Sequence, residues 1–413
     1  MKDILNIRAE NYPNKTSIIF EDKAISYKKF NYMVNNTISI INKEIGEYIG
    51  IQIQNKLKLL VSIIAINRTK KIPILFPYYP NIKDYIDSAG FPILFTDNDI
   101  IINDNKNDQQ PIFYNKNNIQ VVIFTSGSTG VPKPCQLSFD NLYQSSLLWN
   151  DVMKFNRSDV YLNHMPILHV SGLCIYFRAM YNNFTMVLSD FDTINYSEYL
   201  KSYQINIISM VPYMLKKIIN ENNTAAFKQL KAIIIGGSSI EDELLDLIKK
   251  NRIPAYISYG MTETSSGIAG FWANKDVMYS PHNNVNINVD NNKIFIKSKT
   301  VMHGYINSEK NGGIFKTNDS GSQNSRGQFY VNQRTDGIVN SGGEKFSRKY
   351  TEELIEKLTE VNNCTIKIIN DIKWGDSIHA YIKLNTTIDT LELHDKLKNI
   401  MPNYMLPKKI IIL

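Results

Sequence analysis

A polar, glycine-rich stretch at residues 124–134, FTSGSTGVPKP, has the composition of a phosphate-binding loop. Glycines let backbone N–H groups turn toward one point, hydroxyl side chains add donors, and a lysine adds a positive charge. The residues that supply these features are Thr125, Ser126, Gly127, Ser128, Thr129, Gly130 and Lys133. The apolar, β-branched run 119–124 comes directly before, so we predict a strand that ends in a loop. An ordinary polar turn is the alternative.

The spacing of this stretch differs from that of the common P-loop. The P-loop places a Ser or Thr directly after its lysine, whereas Lys133 follows Val131-Pro132 and precedes Pro134. A P-loop kinase or GTPase is therefore disfavoured. A phosphate loop of another kind and a plain turn both stay open from these residues alone.

A second polar cluster, SYGMTETSS at residues 258–266, also follows a strand-like run. Tyr259 could stack on a base, and Thr262 could donate to a phosphate. Glu263 could hold Mg²⁺, which prefers hard oxygen ligands together with substrate phosphates. A polar loop with a structural tyrosine is the alternative.

Two more clusters lie further along, TNDSG at 317–321 and RTDGIVNSGGEKFS at 334–347. Asp319 could accept hydrogen bonds from ribose hydroxyls, and Arg334 could support the same sugar. Each cluster alone could also be a surface turn.

Strand-like and helix-like stretches alternate through the first two thirds of the chain. The predicted order is a hairpin at 18–20 and 24–27, a helix through 33–41, then strands at 48–53, 72–76, 93–96, 119–124, 205–210, 231–235 and 255–258, with helices at 57–67 and 82–89. This alternation predicts an α/β fold of stacked layers with mostly parallel sheets, which bind ligands at the carboxyl ends of their strands.

The pattern changes after Gly267. Short β segments at 293–297 and 328–333 predict a smaller β part, and helices at 349–358 and 390–400 with strands at 364–369 and 378–383 predict a small α+β domain. We therefore divide the chain into an N-terminal domain, 1–335, and a C-terminal domain, 336–413.

Composition narrows the possible partners and compartment. The chain has 413 residues, 43% hydrophobic, and a net charge of +7, which allows a large core and fits anionic small molecules. Basic residues are interspersed with acids and form no block with interleaved aromatics, so nucleic acid is disfavoured.

Cys135, Cys174 and Cys364 lack metal-ligand spacing and cannot all pair, which indicates a reducing compartment. The charged N-terminus and the short apolar segment 57–66 predict neither a signal peptide nor a membrane span. We expect a cytoplasmic protein without stable membrane insertion, and the sequence does not indicate an oligomeric state.

The order of the clusters resembles the acyl-adenylate-forming superfamily of acyl-CoA synthetases, luciferases and peptide-synthetase adenylation domains. The shared order is TSGSTGVPK, IIIGGSS, YGMTE, TNDSG, RTDGIVNSGGEKFS and LPKKI, and the resemblance covers nearly the whole chain from residue 17 onward. It implies a large N-terminal domain of stacked α/β layers with a small β-barrel-like part, followed by a small mobile α+β domain. It also implies that ATP and a carboxylic acid form an acyl-AMP, which then reacts with a thiol, normally that of coenzyme A.

The resemblance implies roles for individual residues. The β- and γ-phosphates would be bound by the first loop, which consists of Thr125, Ser126, Gly127, Ser128, Thr129, Gly130 and Lys133. In the second cluster, Tyr259, Gly260 and Met261 would lie at the adenine, Thr262 would contact the α-phosphate, and Glu263 would bind Mg²⁺. Further along, Asp319 and Arg334 would hold the ribose, Asp336 would be the hinge, and Ser341, Gly342 and Gly343 would form a loop used at the thioester stage.

Two segments are most similar to the 2-succinylbenzoate-CoA ligases of menaquinone biosynthesis, MPILHVSGL at 165–173 and TETSSGIAG at 262–270. By this resemblance His169 lies beside the aromatic acid, with Ser171, Gly236 and Ser258 as pocket neighbours. Related aryl- and fatty-acyl ligases also have a histidine here, so another acid or a carrier-protein thiol is an alternative. A lone histidine can also be purely structural.

Two features depart from the family pattern. Pro134 stands where the family usually has a small residue, which would stiffen the loop and leave Lys133 in place. The family also continues past the segment PKKI to a lysine that contacts the carboxylate and the α-phosphate, and no residue up to Leu413 takes that role by motif. The C-terminal domain is thus expected to be truncated.

Four explanations of the missing lysine stay open. The protein is a short and slow enzyme, another lysine substitutes, the sequence is an incomplete copy, or the enzyme uses only preformed acyl-AMP. A catalytically impaired homologue that only binds a nucleotide or an acyl group also stays open.

Overall fold

The computed structural model describes residues 1–126, 131–190, 195–221, 224–334, 337–371 and 375–413. The α-helices are α1 Ile4–Asn11, α2 Tyr27–Ile41, α3 Lys56–Arg68, α4 Ile82–Ala89, α5 Phe139–Met153, α6 Val170–Asn182, α7 Tyr196–Ser202, α8 Pro212–Asn220, α9 Asp242–Lys250, α10 Arg348–Glu356 and α11 Thr390–Lys398. Within these ranges no helix combines the length and the apolar character needed to cross a bilayer.

The strands follow the same chain order. They are β1 Thr16–Phe20, β2 Lys23–Ser26, β3 Tyr48–Gln52, β4 Ile72–Leu75, β5 Ile93–Thr96, β6 Ile119–Ser126, β7 Pro132–Ser138, β8 Val160–Asn163, β9 Thr185–Leu188, β10 Ile207–Met210, β11 Ala232–Ile235, β12 Ala255–Met261, β13 Ser266–Trp272, β14 Ser280–Pro281, β15 Asn286–Asp290, β16 Lys293–Lys297, β17 Gly304–Tyr305, β18 Ile314–Gln323, β19 Phe329–Arg334, β20 Ile338–Ser341, β21 Glu344–Ser347, β22 Val361–Asp371, β23 Gly375–Leu384 and β24 Lys409–Ile412.

Two large sheets form the body of the protein. One has the order β14-β13-β12-β11-β10-β8-β9-β1-β2, and its strands from β12 to β1 run parallel. The other has the order β17-β7-β6-β4-β3-β5 and is parallel from β6 to β5. The predicted α/β layers with mostly parallel sheets are thus confirmed, and antiparallel strands occur at their edges.

Helices α2, α3, α5 and α6 contribute to one large apolar cluster together with side chains from both sheets. Helix α3 is buried along nearly its whole length, from Leu57 to Arg68, which explains why its sequence is apolar on every side. The Asn55 side chain accepts a hydrogen bond from the Lys58 N–H and so caps its first turn. The core therefore holds both sheets in fixed positions relative to each other.

From residue 286 onward, all strands except β17 belong to two smaller sheets. The part predicted to resemble a barrel is a four-stranded antiparallel sheet, β15-β16-β18-β19. Strands β20 to β24 form a further sheet that shares its own apolar cluster with α10 and α11. The predicted helices and strands of this α+β unit are confirmed, and the predicted boundary at residues 335–336 lies outside the described residues.

Polar contacts join this last unit to the body. The Tyr350 hydroxyl accepts a hydrogen bond from Asn81 Nδ2 at 3.0 Å and donates to Asp84. The rings of Tyr79 and Tyr404 meet edge to face with centroids 5.6 Å apart. These contacts place strand β21 and the loop before it over the carboxyl ends of the parallel strands.

Candidate active site

The ends of β6 and β12 bring two predicted phosphate-end residues together. Thr125 Oγ1 donates to Glu263 Oε1 at 3.2 Å, and the Tyr305 hydroxyl donates to the same oxygen at 2.9 Å. The main-chain oxygen of Glu263 accepts from the Met302 N–H at 2.8 Å. Glu263 is therefore held through both its side chain and its backbone. Thr262 precedes it in the same short turn.

Lys133 lies on the strand beside Thr125, because β6 and β7 form an antiparallel pair in which Thr125 opposes Lys133. Its ammonium group stands 5.6 Å from the centre of the Tyr305 ring, within the range of a cation–π contact. A magnesium–polyphosphate suits this pair of residues, because the lysine is matched to the phosphate charge and the glutamate to the metal ion. Residues 127–130 and the side chain of Ser126 lie outside the described residues.

Tyr259 and Asp319, predicted at the adenine and the ribose, contact each other directly. The Tyr259 hydroxyl donates to Asp319 Oδ2 at 2.7 Å, and both side chains are buried. Asp319 opposes Arg334 across β18 and β19, although the Arg334 side chain is outside the described part. Gly260 lets β13 pass close, because a Cβ there would lie 2.2 Å from the Ser266 oxygen. The neighbouring Met261 packs against the smaller β part.

The predicted acyl-pocket residues lie on neighbouring elements. Gly236 follows β11 and faces Ser258 on β12, since a Cβ at Gly236 would lie 3.5 Å from the Ser258 oxygen. His169 is the residue before α6, and Ser171 lies in the first turn of that helix. Position 236 thus leaves space beside Ser258 that a side chain would reduce.

The loop of Ser341, Gly342 and Gly343 reaches the same strand ends. Asn340 Nδ2 donates to the Gly237 oxygen at 2.9 Å. Gly343 has a φ of +93°, and a Cβ there would lie 2.6 Å from Val211 Cγ1, so both backbone conformation and packing favour glycine. The loop is therefore fitted closely against the ends of β10 and β11.

Directly after this loop, Glu344 meets His169. Glu344 Oε2 lies 3.5 Å from His169 Nε2, and about a third of each side chain is exposed, 31% and 33%. Burial lowers the pKa of His169, but the Glu344 carboxylate outweighs it and raises that pKa above its ordinary value. Burial likewise raises the pKa of Glu344, and the His169 ring reverses this and holds it below its ordinary value. The contact is thus an ion pair when His169 is protonated.

A buried arginine that the motifs did not indicate lies in the third turn of α6. The Arg178 Nη2 donates to Ser266 Oγ at 2.6 Å, and the guanidinium carbon stands 4.2 Å from the centre of the Trp149 ring. Its Nε is buried and has no hydrogen-bond partner, and no carboxylate in the described part of the chain forms an ion pair with it. Burial lowers the pKa of Arg178, although arginine stays charged at neutral pH.

Sequence reasoning missed Arg178, Tyr305 and the partner role of Glu344. Arg178 interrupts an otherwise apolar helical run, LCIYFRAM, which is a signal that a search for buried charges would find. Tyr305 has no such signal, because β17 joins the site only through its pairing with β7. Glu344 lies within the cluster at 334–347, but the motif did not predict a role for it.

The chain was compared with models of protein families and with known proteins. A family model described as "AMP-binding enzyme" matches residues 82–306, which include the ends of β6 and β12. A curated 2-succinylbenzoate–CoA ligase of Staphylococcus epidermidis is 28% identical over 322 residues, which are 74% of this chain and 68% of that protein.

Solved structures give the same fold. A double mutant of o-succinylbenzoate CoA synthetase from Bacillus subtilis, bound with a product analogue, has a TM-score of 0.89 at 23% identity, over 100% of this chain and 95% of that one. The Bacillus subtilis enzyme in complex with ATP and magnesium has a TM-score of 0.72 at 21% identity, over 100% and 96%. Both structures therefore share the fold of this chain, and the product-analogue complex has the higher TM-score of the two.

Proposed function

The chain belongs to the AMP-binding enzyme family, and from this premise we propose that it is an ATP-dependent acid–thiol ligase. The reaction has two steps: a carboxylate and ATP give an acyl-AMP and pyrophosphate, and a thiol then displaces AMP. We further propose 2-succinylbenzoate as the acid and coenzyme A as the thiol, which would place the protein in menaquinone biosynthesis in the cytoplasm. The names of the relatives support this choice.

The observation that carries the proposal is that Thr125 contacts Glu263 and lies opposite Lys133 in the strand register. In the first step an acid oxygen attacks the α-phosphorus, two anions approach each other, and negative charge spreads over the phosphate oxygens. Lys133 and the hydroxyl of Thr262 would offset that charge. Preorganised donors of this kind are effective because they need no rearrangement during the reaction.

Glu263 is the residue that we propose to hold Mg²⁺. Its carboxylate is an oxygen ligand at the phosphate end, and the metal supplies charge neutralisation of the polyphosphate when bound. Magnesium in nucleotide sites usually takes few protein ligands, and a single glutamate beside hydroxyl groups fits that chemistry. Thr125 and Tyr305 would keep the carboxylate oriented toward the phosphates.

Tyr259 and Asp319 are proposed to form the nucleoside end. Their hydrogen bond fixes the aromatic ring beside the carboxylate, and a carboxylate is a suitable acceptor for ribose hydroxyls. Arg334 opposes Asp319 in the strand register and would act on the same sugar.

The buried Arg178 supports the proposal that the acid substrate carries a second carboxylate. A buried cation is costly unless an anion or several acceptors meet it, and in the described chain the anion is missing. 2-Succinylbenzoate carries one carboxylate to activate and one to remain free, and the free one would pair with Arg178. A fatty acid or a simple aryl acid would leave the cation without an anion. The residue therefore favours a dicarboxylic aromatic acid over these alternatives.

We propose two mobile units for the two steps, residues 1–335 and 336–413, with the hinge at Asp336. The likeness to the product-analogue complex supports the described arrangement as the one for thioester formation. In it, Asn340 donates to Gly237 and Gly343 lies against Val211, and Glu344 lies within ion-pair distance of His169. The pair would position His169 beside the acyl group.

A panel of acids tests the proposal in a pyrophosphate-release assay with ATP and Mg²⁺. We expect turnover with 2-succinylbenzoate, much less with benzoate or a medium-chain fatty acid, and a loss of orders of magnitude in Lys133→Ala. An equal response to all three acids would remove the substrate assignment. Unchanged turnover in Lys133→Ala would remove the site assignment.

A further inference from the structure

A cluster of buried rings lies beside the Arg178 guanidinium, which contacts one of its members, and we call Trp149, Tyr256 and His282 the ring cluster. The Trp149 ring stands edge to face with Tyr256 at 5.9 Å and with His282 at 5.4 Å between centroids. The Tyr256 hydroxyl and His282 Nε2 are 2.8 Å apart, within hydrogen-bond distance. Trp149 is 1% exposed and His282 5%. The cluster is thus a rigid wall made from helix α5, strand β12 and the segment after β14.

Trp149 is the member that contacts the cation. The guanidinium carbon lies 4.2 Å from the ring centre, which is within the range of a cation–π contact, and tryptophan is the strongest aromatic partner for a cation. Burial and the nearby Arg178 charge lower the pKa of His282 to about 3, so the imidazole stays neutral at physiological pH. The positive charge beside the ring cluster is therefore that of Arg178.

A π face holds a cation in a way that a carboxylate cannot. A glutamate or aspartate would fix the guanidinium but would also neutralise it and occupy its N–H groups. An aromatic face attracts the positive charge without accepting hydrogen bonds from the in-plane N–H groups. In this chain Nη2 donates to Ser266 Oγ, and the buried Nε has no hydrogen-bond partner. An arginine held in this way can still accept an incoming anion.

We infer that Trp149 is a positioning residue, whose ring face orients the Arg178 guanidinium for the free carboxylate of the acid substrate. This inference rests on the proposed function, because it assumes that Arg178 binds that carboxylate. Trp149 acts through Arg178, and its effect is therefore specific for substrates that carry the second carboxylate.

The backbone around Trp149 connects it to the predicted acyl pocket. A Cβ at Gly267 would lie 2.6 Å from Trp149 Cζ2 and 2.2 Å from Ser258 Oγ. The glycine therefore allows β13 to pass between the indole and Ser258. The same short contact explains how a residue of α5 comes beside the ends of β11 and β12.

The test compares Trp149→Leu and Trp149→Phe in steady-state assays with 2-succinylbenzoate. We expect the KM for this acid to rise on the order of tenfold in Trp149→Leu and less in Trp149→Phe, which keeps a weaker aromatic face. The kcat and the KM for ATP stay near the values of the unchanged protein. A merely structural role would instead change all three constants together.

Two matched controls make the result specific. 4-Oxo-4-phenylbutanoate and 2-butanoylbenzoate each lack one carboxylate of the substrate. We expect the enzyme's KM for the compound that it activates to be the same in the Trp149 variants as in the unchanged protein. Trp272→Phe changes a tryptophan that packs on the same Tyr256 ring, at 5.3 Å, and is expected to have no effect on any KM.

Arg178→Lys separates the inference from the proposed function on which it rests. If Arg178→Lys leaves the KM for 2-succinylbenzoate unchanged, the carboxylate site itself is wrong. If Arg178→Lys raises that KM and neither Trp149 variant does, the inference about Trp149 alone is overturned. Should Trp149→Leu fail to fold, the comparison of Trp149→Phe with Trp272→Phe decides by the same criterion.

Discussion

Replacing Glu344 by glutamine removes the charge that faces His169 and keeps the size of the side chain. The two charges lie 3.5 Å apart, a separation at which unit charges interact by about 1.2 kcal/mol in water. Each side chain remains about a third exposed, so solvent screens the pair, and exposed pairs contribute roughly 0.2–1 kcal/mol. We therefore expect Glu344→Gln to lower the pKa of His169 and to remove an interaction of roughly 0.2–1 kcal/mol between the two side chains.

An NMR titration of the histidine ring signals measures this directly. The chain has six histidines, and the spectrum of His169→Asn identifies the signal that belongs to position 169. Glu353→Gln serves as the control, because Glu353 lies on α10 and pairs only loosely with Lys349 at 3.9 Å. A His169 pKa that does not fall in Glu344→Gln would refute the reasoning.

The same pair makes stability depend on pH. The raised pKa of His169 means that its contribution is present below the ordinary value of 6.5 and is lost as pH rises through the folded-state pKa. The lowered pKa of Glu344 means that its contribution is present above 4.5 and is lost as pH falls. The stability difference between the unchanged protein and Glu344→Gln is therefore largest between these values and disappears as the pH rises above the folded-state pKa of His169.

Three further changes test other parts of the site. Glu263→Gln is expected to reduce ATP–pyrophosphate exchange on the order of 10² to 10³-fold with an unchanged melting temperature, and equal exchange would contradict the proposed metal ligand. Gly343→Ala would slow CoA ester formation from preformed acyl-AMP because its Cβ meets Val211 and its φ is positive; Val211→Ala in the same chain should restore part of the rate, and no slowing at all would argue against the close fit. Tyr350→Phe removes the hydroxyl that donates to Asp84 and should lower the free energy of unfolding by about 1 kcal/mol in a urea titration; an unchanged midpoint would show that the contact contributes little.

The sequence predicted the elements that carry the motifs because local patterns determine them. The helices at 57–67 and 82–89 and the strand at 93–96 were found within one residue of their predicted bounds, since apolar runs and capping residues act over short distances. Thr125 and Glu263 were predicted from separate motifs, and their contact was implied only by the resemblance. Their side chains meet because β6 and β12 belong to different sheets that share one core.

Contacts between distant segments were not predictable from local patterns. Tyr305 reaches Glu263 across 42 positions, and Trp149 reaches Arg178 from another helix. Tyr259 was predicted at the base, and its hydrogen bond to Asp319 requires the register of a sheet that no short motif encodes. The roles assigned to Gly127, Ser128, Thr129, Gly130 and Asp336 fall outside the described residues and stay predictions.

The most direct test of the central claim is mass-spectrometric analysis of the purified chain mixed with 2-succinylbenzoate, ATP, Mg²⁺ and coenzyme A. The two-step reaction predicts an acyl-AMP when coenzyme A is left out and its conversion to the CoA ester when coenzyme A is added. In Glu263→Gln both products should fall together. If the chain forms neither product, and also makes no CoA ester from synthetic 2-succinylbenzoyl-AMP, the assignment as a ligase for this acid is contradicted.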